Sequence, residues 1–305
     1  MPNSKFLSAL SAPTIVSGAP FGFDLLALQQ AIDSAGKWAL YVARDEKTAS
    51  TALKIAQFNR PTMDVIYIPG WDILPFDRIS PSPAIASQRC AALARLANAS
   101  DHSKPVLVVT TGSSLVQRVP PRETMRKASF SLAVGERVDE KALVDYLNVN
   151  GYVRASTVRE RGDYSIRGGI IDIFPPTSAE PIRLDLFGDT LEHLKSFDAE
   201  TQVSTGTLRS VALAPVSEIL FSDETLSLFR EKYLSAIGAP LGDTMYEAAR
   251  AQIRRQGLEN WLPLFHEHLE TLFDYMGEDA LIAFGYLAGE AAAERRTQAE
   301  DYHAT

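Results

Sequence analysis

The sequence holds a single cysteine, Cys90, among 305 residues. One thiol excludes an internal disulfide framework and any zinc site built on clustered cysteines. The ordinary place for such a residue is a packed interior. No run of 18 or more apolar residues occurs, so no transmembrane helix is expected. Residues 1–12 lack a basic start followed by an apolar stretch, so no secretory leader is read there, and a reduced cytoplasmic setting follows. Positive charge is also scarce. Thirty Lys and Arg against 38 Asp and Glu leave a net charge of −8, the opposite of a general nucleic-acid footprint. What remains is ordinary: 46 % hydrophobic and 22 % charged residues exclude disorder.

Apolar periodicity divides the chain into three stretches. Helical spacing at 25–35, after a capping Asp24, is followed by an apolar strand at 38–42. A helix at 46–58, a strand at 65–68 stopped by Pro69-Gly70, a helix at 85–97 and a strand at 106–110 complete an alternation typical of a parallel sheet covered by helices. Near Ser129 the rhythm changes. Phe130, Leu132 and Val134 alternate as a half-buried strand, and one helix spans 139–147. Short β runs follow at 152–153, 164–166, 170–174, 182–187 and 191–197, separated by Gly, Pro, Asp and Ser. This pattern predicts an antiparallel α+β module. Beyond Val211, helices at 225–234, 244–255 and 287–302 and a strand at 280–284 restore the α/β rhythm. The expected organisation is α/β, with a domain at 128–210 inserted between 1–127 and 211–305.

Motifs for phosphate chemistry are incomplete. Residues 15–24, IVSGAPFGFD, place Gly18 and Gly22 near the glycines of a phosphate-binding loop, but Phe23-Asp24 stand where Lys and Ser/Thr are required. An Asp there repels a triphosphate. The apolar strand at 280–286 ends on Phe284-Gly285, without a carboxylate for magnesium. His266 and His268 are two residues apart, not the four that would put both on one helix face for zinc. Ser113-Ser114 lack a nucleophile elbow and read as a helix cap. Asp163, Asp172 and Asp185 show no spacing that pairs them for acid–base work. No metal and no cofactor are expected.

The most specific signal lies in the middle. Tyr152-Val153-Arg154, then RGDYSIRGGIIDIFP at 161–175 and IRLDLFGD at 182–189, resemble the second domain of the nucleotide-excision repair protein UvrB. The same pattern occurs in the N-terminal part of bacterial transcription-repair coupling factors. PGWDILPFD at 69–77, residues 111–120, GLENW at 257–261 and LFDY at 272–275 extend the likeness. UvrB-like proteins keep the loop lysine, the acidic strand end and a Tyr-rich hairpin that clamps damaged DNA; their loss here resembles the coupling factors. The resemblance implies a degenerate P-loop, helicase-like parallel-sheet domain with an inserted α+β domain like the second domain of UvrB. It also implies an amino-terminal fragment, since the family's polymerase-interacting domain and DNA translocase motor do not fit after Thr305.

The implied role is to bind UvrA through the inserted domain, without catalysis and with little or no direct DNA binding. Arg167, Arg183 and Phe187 match positions that bind UvrA in both relatives, and Arg154 and Asp185 match further contact positions in UvrB. Ser165 departs from the family, where UvrB-like proteins have Arg. In the intact coupling factor the same face is covered by the protein's own C-terminal domain. An ATPase with an unusual nucleotide pocket and a direct DNA-binding module are the alternatives. The residues themselves add a physical argument. Alternation puts Arg183, Asp185 and Phe187 on one strand face and Leu184 and Leu186 on the other. Arg and aromatic residues are enriched at interfaces. The competing reading packs Phe187 under the next turn and pairs Arg183 with Asp185 or Asp172. Residues 151–210 hold seven Lys and Arg against nine Asp and Glu, so bulk charge does not explain the arginines.

Overall fold

The computed structural model describes residues 14–35, 38–74, 77–99 and 104–304. Stretch 1–12, read for a leader, and motif residues Pro75 and Phe76 lie outside these. The chain forms two compact units: Met1–Gly70, Ala99–Arg118 and Thr271–Thr305 make the first, Trp71–Asn98 and Val119–Glu270 the second.

The first unit is built on four parallel strands, β1 (Ala39–Ala43), β2 (Asp64–Ile68), β3 (Val106–Thr111) and β12 (Leu281–Phe284), in the order β12-β1-β3-β2. Every residue of β1 and β3 is buried, as expected of strands covered on both faces. One face meets α1 (Phe23–Ala35) and α2 (Glu46–Asn59). Leu25, Leu28 and Ile32 of α1 and three alanines of α2 pack on Tyr41, Leu107 and Val109. The alanines, Ala49, Ala52 and Ala56, are spaced three and four apart, so they line one side and let the helix sit close to the sheet. Asp45 caps α2 by accepting from the Thr48 amide.

The second unit holds a six-stranded sheet, β5 (Val153–Arg154), β6 (Asp163–Arg167), β7 (Ile170–Ile173), β8 (Ile182–Phe187), β9 (Thr190–Phe197) and β10 (Ser204–Leu208), in the order β10-β9-β8-β7-β6-β5. All neighbours are antiparallel except β5 and β6. After the short helix α5 (Arg122–Lys127), helix α6 (Glu140–Val149), capped by Asp139, buries Leu143 and Leu147 against Ile171, Ile173, Ile182, Leu184 and Leu194. A separate ribbon pairs β4 (Phe130–Ala133) with β11 (Ser210–Leu213). Helices α7 (Asp223–Ala236) and α8 (Thr244–Arg250) close a second cluster around Phe229, Tyr233, Tyr246 and Phe265. Helix α3 (Pro83–Asn98) belongs to this unit, and its Cys90 is a buried thiol whose pKa burial pushes up. Beside Cys90, Arg89 and Glu218 form a buried ion pair at 2.6 Å.

Residues 15–16, before the glycine-bearing turn, form no strand, and Ile15 is 95 % exposed. One helix expectation needs correction. The helix read over 244–255 ends at Arg250, because Gln252 turns to a φ of 58°. Strands β10 and β11 had no counterpart in the sequence reading. No helix among the described residues is long and apolar enough to cross a membrane.

Candidate protein-recognition face

The outer face of the six-stranded sheet brings most of the singled-out residues together. Ser165, Asp172, Arg183 and Lys195 stand in register across β6 to β9. The next row is Arg167, Ile170, Asp185 and His193. The competing reading holds in part. Arg183 does pair with Asp172: its Nε donates to Oδ1 at 2.7 Å and its Nη2 to Oδ2 at 3.0 Å. Arg167 Nη2 donates to the same Oδ2 at 3.0 Å. Phe187, however, does not pack under a turn; it is 76 % exposed at the tip of the β8–β9 hairpin.

Asp172 has a side chain only 1 % exposed, whereas Arg183 is 23 % and Arg167 56 % exposed. The Arg183 guanidinium also lies over the buried Phe197 ring, 4.7 Å from its centroid, a cation–π contact. The Asp172 hydrogen bond holds the Arg183 pKa above its ordinary value. Leu184 is fully buried on the opposite face and Leu186 packs against the same core, after a register shift between Asp185 and Leu186.

Two hairpin turns fix the edge of this face. Gly188 adopts a φ of 64°, which a two-residue turn requires and a side chain resists. Gly169 is needed for space instead. Its carbonyl accepts from the Leu186 amide at 2.8 Å, and a Cβ there would meet the Leu186 oxygen at 2.7 Å. This close approach ties the turn after Arg167 to the end of the strand bearing Phe187.

Arg154 is exposed on the edge strand β5, in register with the core-facing Tyr164, and the structure does not bring it into the Arg167–Asp172–Arg183 group. Ser165 is buried beside Asp172. Sequence reasoning missed Asp172 as the centre of the group and Phe197 as its floor. The usable signal was the alternation that puts Asp172 on the same face as Ile170.

The other motifs resolve as local structure. His266 is buried, its Nε2 within 3.2 Å of the Glu218 carbonyl, and burial lowers its pKa to about 4. His268 is exposed. Among the described residues no group of three His, Cys, Asp or Glu is placed to hold a metal. Ser113 and Ser114 do not cap a helix as read; they lie inside α4 (Gly112–Leu115), and the cap is Thr111, whose hydroxyl accepts from the Ser114 amide. At the glycine-bearing turn, Asp24 lies in the first turn of α1 rather than before it. Its Oδ1 accepts from the amides of Gly22 and Leu25 at 3.2 and 2.9 Å, and its Oδ2 from the Tyr41 hydroxyl at 2.7 Å. That hydroxyl stands 2.6 Å from where a Cβ on Gly285 would be, at the end of β12. Burial first, then the hydrogen bond to Asp24, push the Tyr41 pKa far up.

These features define an α/β chain with a helix-backed antiparallel sheet whose outer face displays arginines and one phenylalanine. Residues 130–219, which include β4 to β11, match the model of the UvrB interaction domain family. The chain is 30 % identical, over 85 % of its length, to the transcription-repair-coupling factor of Haemophilus influenzae, covering 22 % of that protein. The corresponding factor of Rickettsia bellii is 29 % identical over 86 % of this chain and is covered to 23 %. That of Escherichia coli is 30 % identical over 75 % of this chain and is covered to 20 %. The chain therefore spans about a fifth of the length of these relatives. The resemblance drawn from the motifs stands: this chain is similar to the UvrB-homology module of the transcription-repair-coupling factors.

Proposed function

We propose that this chain is a non-catalytic adaptor of transcription-coupled nucleotide excision repair, which recruits UvrA to stalled transcription complexes in the cytoplasm. Residues 128–210 are its recognition domain, set between 1–127 and 211–305. The observation that carries this reading is Phe187, 76 % exposed at the tip of the β8–β9 hairpin, on the strand that also carries Arg183. A large aromatic held in water beside charged groups gains most by docking into a partner. Arg167, Arg183, Phe187 and Asp185 form the contact face, with Arg154 at its margin. In a chain as long as the relatives, the C-terminal domain would compete for that face.

The adaptor reading is supported by the first unit as well. The Gly22 and Leu25 amides at the start of α1 are occupied by Asp24, and Tyr41 fills the space a carboxylate at position 285 would need. The net charge of −8 opposes duplex DNA as the primary partner. Capture of the purified chain on immobilised UvrA tests the proposal. Wild type is expected to bind, and an Arg183→Ala/Phe187→Ala variant with an unchanged circular dichroism spectrum is expected not to. Equal capture of the two overturns it.

A further inference from the structure

Asp172 is too deeply buried to touch a partner, since its side chain is only 1 % exposed. A buried carboxylate is costly unless it is paired and hydrogen-bonded. Here three N–H groups satisfy it, and all come from the two arginines of the recognition face. Both guanidiniums share Oδ2, so two like charges are held side by side around one negative charge. The Phe197 ring lies under the Arg183 guanidinium, its centroid 4.7 Å from the guanidinium carbon. Arg183 Nη1 donates a long hydrogen bond, 3.5 Å, to the Gln202 carbonyl, which uses one of its two hydrogens. The other Nη1 hydrogen and the N–H groups of the half-exposed Arg167 that do not meet Asp172 are left for a partner.

We infer that Asp172 is a positioning residue for partner recognition: one buried carboxylate fixes Arg167 and Arg183 as a pre-ordered pair. The pair accepts a partner carboxylate beside the socket that takes Phe187. The inference rests on the adaptor reading and deepens it. An arginine side chain carries about 2 kcal/mol of rotamer entropy. When that freedom is already lost in the unbound protein, binding does not have to remove it.

The charge sign separates positioning from mere attraction. Arg167 and Arg183 acting as loose positive charges would make Asp172 a hindrance. Asp172→Asn would then raise the charge of the face by one, quicken association and tighten binding. A positioning role predicts the reverse, an affinity loss of about tenfold or more, carried by faster dissociation, with association unchanged or faster. Stopped-flow association and dissociation of the full chain with purified UvrA read the two rates. Arg183→Lys keeps the charge and the buried carboxylate but loses the two-pronged contact. It is expected to fall in the same direction, and it serves if Asp172→Asn does not fold. In the unbound protein, the Arg183 Nε–H signal in a nitrogen-edited NMR spectrum is expected to exchange slowly in wild type and rapidly in Asp172→Asn. Wild-type chain that fails to bind UvrA overturns the adaptor reading. Wild-type chain that binds, with both variants binding as well or better, overturns the positioning role alone, as does an unchanged Nε–H signal in Asp172→Asn.

Discussion

On the adaptor reading proposed above, Phe187→Ala separates recognition from folding. The ring is 76 % exposed, so it contributes little to the native core. Exposed substitutions usually alter stability by no more than about 0.5 kcal/mol. Binding is another matter. A buried phenylalanine removes about 200 Å² from water, and three quarters of that, about 150 Å², is still available at Phe187. At about 25 cal/mol per Å² the full area is equivalent to about 4 kcal/mol, and half of it to about 2 kcal/mol. The expected loss of UvrA affinity therefore lies between about thirtyfold and about a thousandfold. Calorimetric titration with UvrA measures it, and urea unfolding of the same preparation measures the fold. An affinity loss below about threefold with an intact fold refutes the anchor role. A stability loss of more than about 2 kcal/mol refutes the premise that the ring is solvated.

Gly169→Ala is expected to cost about 1–3 kcal/mol in urea unfolding, because its Cβ would lie 2.7 Å from a backbone oxygen that cannot swing aside. UvrA affinity should fall with it, since the Arg167 turn would move from the Phe187 strand. His266 is held neutral, with a pKa of about 4 in the folded state against about 6.5 when unfolded. The unfolded chain then takes up a proton that the folded chain refuses as pH falls from about 6.5 to about 4. Stability is full above that window and is expected to be about 2 kcal/mol lower at pH 5 than at neutral pH. Urea titrations at both pH values should show this difference shrinking in His266→Gln. Arg89→Ala would strand the buried Glu218 carboxylate, at a cost of about 3–5 kcal/mol, whereas Arg89→Met with Glu218→Leu should cost less than either single change in thermal unfolding.

The parallel sheet was legible because its strands are apolar throughout: ALYVA in β1 and VLVVTT in β3 are buried at every position. Alternation in β8 likewise put Arg183, Asp185 and Phe187 on the right face. Strand β10 was not legible. Its residues, STGTL, are mostly exposed at a sheet edge, and only pairing with β9 makes them a strand. The hydrogen bond from the Tyr41 hydroxyl to the Asp24 carboxylate was equally hidden, since seventeen residues separate the two in sequence. Asp172 shows the same limit most sharply. Its face follows from alternation, but its two arginine partners follow from the registers of β6 on β7 and β7 on β8, which are long-range properties.

Two carboxylates with the same number of hydrogen bonds do opposite things in this chain, and the donors decide which. Asp24 accepts from the Gly22 and Leu25 amides and the Tyr41 hydroxyl, and Tyr41 is itself buried. Those amides are the donors at a helix start that an incoming anion would otherwise meet. Asp172 also accepts three bonds, but from guanidiniums whose other N–H groups remain at the surface. An amide has one hydrogen and is consumed by one acceptor; a guanidinium has five and is oriented by one acceptor while keeping the rest. The first arrangement is therefore inward and closed, and the second holds its cations in fixed positions for a second carboxylate. Converting Asp24 to Asn should consequently perturb only the stability of the first unit, whereas Asp172→Asn should be felt chiefly in the dissociation rate of a partner.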